Sequence, residues 1–148
     1  MWEEFRSHAL ALLGEHFPPE LIEDHGDSLT FVDRRERLRF FLTESAQGIT
    51  IGDYEERNTV GIIFTSPSIE LATIALTLLV REGLGELVDM HYAPDELLGP
   101  VPGTDYSIRK DRSSGFHLTH KTDSTLRAYC DYFTYARAIA LAASARGA

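Results

Sequence analysis

Thiols are nearly absent: Cys130 is the only cysteine in 148 residues. That excludes an intrachain disulfide framework and any zinc site built on thiolates, and it suits a reducing compartment. Basic residues are scarce as well, 14 against 23 acidic ones, for a formal charge of −9. Such a field opposes binding to a nucleic-acid backbone or an anionic membrane, so neither is an expected partner. No stretch approaches the roughly 20 apolar residues that span a bilayer. Trp2, Glu3, Glu4 and Arg6 interrupt what a secretory signal would need at the amino end, so a cytoplasmic location is expected. Phosphate-cradling patterns (GxGxxG, GxxxxGK[ST]) and the nucleophile elbow GxSxG are missing too. With 43% apolar and 25% charged residues the chain has the composition of one ordinary globular domain. At this length a fold buries about 70% of the surface of its unfolded chain and needs no metal to hold it.

Hydrophobic periodicity divides the chain into an amino-terminal helix (1–17), a four-strand meander (28–66), a core helix (67–84), a hairpin (105–120) and a C-terminal helix (123–145). In the first helix Trp2, Phe5, Ala9, Leu12 and Leu13 share one side, and Pro18 and Pro19 stop it. Four apolar runs follow at hairpin spacing: Leu29–Val32, Leu38–Leu42, Ile49–Ile51 and Val60–Phe64. Leu38, Phe40 and Leu42 alternate with Arg37, Arg39 and Thr43, the pattern of a sheet with one buried face. Phe41 breaks the alternation, which leaves it either beneath a helix or on a contact surface. Ser66 and Pro67 read as N-cap and first helical residue, with Glu70 in the first turn. That helix is apolar nearly all round and is expected at the centre of the core. Residues 86–103 hold too many prolines and glycines for one long element, although Pro94–Leu98 suits a helical turn. Near the end, Leu126, Tyr129, Cys130, Phe133, Ala136 and Ala140 fall at helical spacing, with Arg127 and Asp131 paired four apart. The expectation is an α+β domain: an antiparallel sheet of about six strands with three main helices packed mainly on one face.

The residues capable of catalysis do not assemble into a site along the sequence, and no catalytic residue, metal ligand or cofactor is assigned. His117 and His120 are three apart, which on a strand sends them to opposite faces. His8 and His16 stand about 12 Å apart along a helix, too far to share an ion. His25 lies among Glu23, Asp24 and Asp27, read as a solvated acidic turn. Cys130 reads as a buried structural thiol. The one basic run, Arg34, Arg35, Arg37 and Arg39, is diluted by Glu36 and reads as a solvated face. What remains is surface suited to a protein partner: the reversal Asp53, Tyr54, Glu55, Glu56 and Arg57, and the irregular stretch with Asp89, His91, Tyr92, Asp95 and Glu96. Tyr54 and Tyr92 are the aromatic anchors of that reading.

The succession GITIGDYEERNTVGIIFTSPSIELATIAL, PGTDYSI, SSGFHLTH and DSTLRAYCDYFTYA, over residues 28–140, resembles the family 61 immunity proteins of bacterial polymorphic toxin systems, the type that includes the immunity factor for the tuberculosis necrotizing toxin. The resemblance implies a non-catalytic inhibitor that binds a cognate toxin domain, commonly an NAD glycohydrolase, and blocks its active site as a monomer or weak homodimer. The competing expectation is a small acidic secretion chaperone that binds an exported effector as a homodimer.

Overall fold

The computed structural model describes residues 1–33, 38–54, 60–83 and 98–147. In chain order the elements are α1 (Trp2–His16), β1 (Ile22–Asp24), β2 (Ser28–Asp33), β3 (Leu38–Ser45), β4 (Gly48–Tyr54), β5 (Val60–Ser66), α2 (Ile69–Gly83), β6 (Gly99–Pro100), β7 (Tyr106–Lys110), β8 (Phe116–His120), β9 (Arg127–Cys130) and α3 (Phe133–Ala145). The class is α+β, as the sequence implies. All nine strands form one antiparallel sheet in the order β1-β2-β3-β4-β5-β9-β8-β7-β6.

That order is two meanders walking toward each other. The first runs from β1 to β5; the chain then leaves through α2, and the second meander returns from the far edge, β6 to β9. They meet at the β5–β9 seam, where Phe64 pairs with Cys130 and Thr65 with Tyr129. Two further bonds close the seam: Asp131 N–H donates to Ile63 O at 3.0 Å and Ser66 Oγ to Arg127 O at 2.6 Å. On one side of the sheet, alternate residues Leu29, Phe31, Phe40, Leu42, Ile49, Ile51, Phe64, Ile108, Leu118 and Cys130 are buried against the helices. Burying an apolar side chain of this size contributes about 1.5–3 kcal/mol.

The amino-terminal helix sits where its apolar residues require. Trp2, Phe5, Ala9 and Leu13 are buried, the Trp2 indole donates to Gly26 O at 2.7 Å, and Arg6 pairs with Asp24 on β1. Phe17, Phe31 and Phe40 then stack in sequence, with ring centroids 4.6 and 5.0 Å apart, tying the end of α1 to β2 and β3. As its nearly all-round apolarity implies, α2 lies centrally, packed against α1, α3, β4 and β5. The Tyr135 hydroxyl donates to Ala75 O at 2.6 Å and locks α3 to it.

Three expectations need correction. The sheet has nine strands, not about six: β1 and β6 are too short to leave a pattern, and β9 reads as helix. Leu126, Tyr129, Cys130 and Phe133 do fall at spacings of three and four. Yet Arg127–Cys130 is extended because the gap between β5 and β8 supplies hydrogen bonds on both sides, and α3 starts only at Phe133. The Arg127–Asp131 helical pair is therefore not formed; Arg127 donates to Ser124 O at 2.8 Å. Finally, α2 begins at Ile69, and its cap is Ser68, whose Oγ accepts Leu71 N–H at 3.1 Å. Ser66 belongs to the sheet.

Candidate interaction surface

The three helices cover one face of the sheet, and the alternation that sends apolar side chains toward them sends a different set the other way. One row crosses seven strands in direct register: Ser28, Thr43, Thr50, Thr65, Tyr129, His117 and Arg109. Beside it on the first meander run Thr30, Phe41, Gly52 and Ile62, and on the second Arg127, Thr119 and Ser107. The helix-free face is thus hydroxyl-rich, with an aromatic and aliphatic patch at one end and cations at the other.

Two of its aromatics pack over glycines. A Cβ on Gly52 would fall 2.0 Å from the Phe41 ring, so Phe41 lies flat over the glycine, half-buried, and Ile62 beside it is 41% exposed. Phe41 therefore lies on the helix-free face and not beneath a helix. Tyr129 lies over Gly115 in the same way, its hydroxyl donating to Ser114 O at 3.3 Å, and its ring stands edge-on to His117 with centroids 5.8 Å apart. His117 Nε2 hydrogen-bonds Asp111 Oδ1 at 2.5 Å. That bond, with two more from Ser113, holds the Asp111 carboxyl well below the usual carboxylate range. Among the described residues no hydroxyl or thiol is bonded to His117, so the pair is not wired to a nucleophile.

At the cationic end the face is hollowed into a groove of about 360 Å³. Thr65, Tyr129, His117, Thr119, Arg127 and Arg109 form the floor, and Ala46 and Gln47 of the β3–β4 turn form a wall with Pro67. Arg109 and Arg127 are exposed, and among the described residues neither makes an ion pair. Arg39 is exposed at the other end of the same face. Those three arginines share the face with the carboxylates of Glu23, whose Oε2 lies 3.5 Å from His25 Nε2, and of Asp111, which lies just past β7 and bonds His117. A chain of charge −9 thus gathers three exposed arginines on its uncovered sheet.

A second depression, about 780 Å³ and wide open, has the opposite sign: Glu70, Asp105, Asp123 and His120 line it. Tyr106 packs edge-on against His120 at 4.9 Å, is 1% exposed, and finds no hydrogen-bond partner for its hydroxyl among the described residues. Burial, with Glu70, Asp123 and Asp105 nearby, pushes this phenol up to about 12. His117 and His120 face opposite sides of β8, as their spacing requires. Asp24 of the acidic turn is committed to Arg6 and to Gly26 N–H. Among the described residues no three His, Cys, Asp or Glu side chains converge as metal ligands. Cys130 is fully buried, and burial pushes its thiol up. Among the described residues no helix is long and apolar enough to cross a membrane.

Of the residues singled out from the sequence, Asp53 is exposed near the end of β4, and Tyr54 is placed by its backbone alone, opposite Val60. Glu55, Glu56, Arg57, Asp89, His91, Tyr92, Asp95 and Glu96 lie outside the described residues. Sequence reasoning missed Arg109, Thr119, Arg127 and Tyr129 as one surface. The signal for the first two was present in the alternation of the β7–β8 hairpin; that for the last two was hidden by the helical spacing of β9. Comparison of the chain with protein-family models, with curated proteins and with solved structures finds no match in any of the three.

Proposed function

We propose that this chain is an immunity-type inhibitor: it docks on a cognate toxin domain, of which an NAD glycohydrolase is the case its sequence resemblance implies, and occludes the active site. The observation that supports a docking role is the helix-free sheet face. Strand register sets which side chains share it, and its two aromatics, Phe41 and Tyr129, pack over Gly52 and Gly115. A surface already ordered loses little freedom when a partner covers it, so more of the contact energy is retained as affinity. Half-buried aromatics on a face that also carries arginines have the composition of binding hot spots.

The net charge of −9 steers the molecule toward a basic partner and raises the association rate by roughly 10–10³-fold at low salt. Protection from a toxin also requires slow dissociation: a nanomolar complex, about −12 kcal/mol, over roughly 800 Å² on each partner. The test is co-expression with any toxin domain that a neighbouring gene encodes, followed by titration of that domain's activity with the purified protein. Full inhibition at one-to-one stoichiometry is expected. Undiminished activity at a several-fold excess of this chain would refute the reading, and a stable homodimer in sedimentation that leaves the toxin active would favour the chaperone.

A further inference from the structure

We infer that the groove at Arg109 and Arg127 receives an extended acidic segment of the protein partner, an inference that rests on the protein-binding reading and names the chemistry of one contact within it. The two guanidinium groups are exposed, lie on one groove floor and, among the described residues, lack carboxylate partners. Unneutralised cations on an otherwise acidic molecule are the complement of an anion, and the groove adds Thr65 and Thr119 hydroxyls and the Tyr129 ring.

The spacing decides what kind of anion. Arg109 stands in register with His117 and Tyr129, and Arg127 lies two residues along β9 from Tyr129. Two strand spacings and two residue rises put their Cα atoms about 12 Å apart. A single phosphate at the midpoint serves both only if both side chains fold inward. An extended peptide carries carboxylates on one side about 7 Å or 14 Å apart, at every second or fourth residue, spacings that bracket the Cα separation and lie within reach of both arginine side chains. A nucleic-acid strand places a phosphate at every residue against the field of 23 acidic residues, whereas a peptide segment of mixed sequence brings only the carboxylates that meet the two arginines. The groove therefore accepts a partner segment whose sign is opposite to that of the basic cleft toward which the whole molecule is steered. Two charge matches of opposite sign fix orientation, which one alone does not.

The experiment uses the ¹⁵N-labelled full chain and three probes: capped hexaglutamate, inorganic phosphate and hexauridylate. Expected are saturable shifts from hexaglutamate at Thr65, Thr119 and Tyr129 and at the two guanidinium groups. Affinity should fall at least about tenfold in the R109E/R127E double variant and change little in R109K/R127K. Both pairs lie at exposed positions, and matching far-UV circular dichroism and urea midpoints establish that each variant is folded. Shifts that do not saturate, or that persist in R109E/R127E, overturn the inference. So does phosphate binding as tightly as the peptide, which marks a point-anion site, or hexauridylate binding more tightly, which marks a nucleic-acid site. The two readings fail separately: a chain that neutralises the toxin but ignores hexaglutamate loses the groove, whereas one that binds hexaglutamate and leaves the toxin active loses the immunity function.

Discussion

Replacing Ser66 by alanine tests how the two meanders are joined. The Ser66 hydroxyl is fully buried, donates to Arg127 O at 2.6 Å and accepts Ser68 N–H at 3.0 Å, so one oxygen links the end of β5, the start of β9 and the approach to α2. Alanine leaves the Arg127 carbonyl and the Ser68 N–H short of a partner at a part-buried position. Each such loss costs about 1–3 kcal/mol, and the seam has two residue pairs to share the load, so about 2–4 kcal/mol is expected. Ser68→Ala removes only the cap bond to Leu71 N–H, worth about 1 kcal/mol. Urea denaturation followed by the fluorescence of Trp2, the single tryptophan, reads both. With a slope of about 2 kcal/mol/M, Ser66→Ala should lower the midpoint by about 1–2 M and Ser68→Ala by about 0.5 M. Were Ser68→Ala silent and Ser66→Ala to cost no more than an ordinary cap, the sequence assignment of Ser66 as the N-cap would stand and the seam argument would fail.

Two glycines should respond unequally to alanine. At Gly48 the backbone has φ +119° and a Cβ would meet Ser66 O at 2.1 Å, so Gly48→Ala should cost about 2–5 kcal/mol by urea melt. At Gly52 the obstacle is the tip of the half-buried Phe41 ring, which can swing away; that variant should cost under about 1.5 kcal/mol while displacing Phe41 aromatic resonances. Alkaline titration should destabilise the fold. Tyr106 keeps its proton in the folded state up to about 12, whereas the unfolded chain releases it near 10. The folded state thus holds more protons in that interval, and stability falls as pH rises through it. Phenolate absorbance should show the Tyr106 and Tyr135 signals emerging late or with unfolding, and early titration of all six tyrosines would refute their burial.

The first helix and strands β2 to β5 were readable because each local pattern there had a single solution. Trp2, Phe5, Ala9 and Leu13 repeat at helical spacing before two prolines, and α1 ends where those prolines require. Alternation from Leu29 to Phe64, broken by short polar turns, produced β2 to β5. The α+β class followed from the order of these segments. Arg127–Cys130 had two solutions, because four residues reveal too little of either period and hydrogen bonds from β5 and β8 chose between them. The same choice decided the surface. Arg109 and His117 are near neighbours on a hairpin, but Arg127 and Tyr129 join them only once β9 is a strand, and the second meander meets Thr65 only across the seam. Local sequence determines which face of each element is apolar, since that depends on backbone period alone. Which elements become neighbours, and hence which arginines share a groove, depends on long-range pairing that only the folded chain supplies.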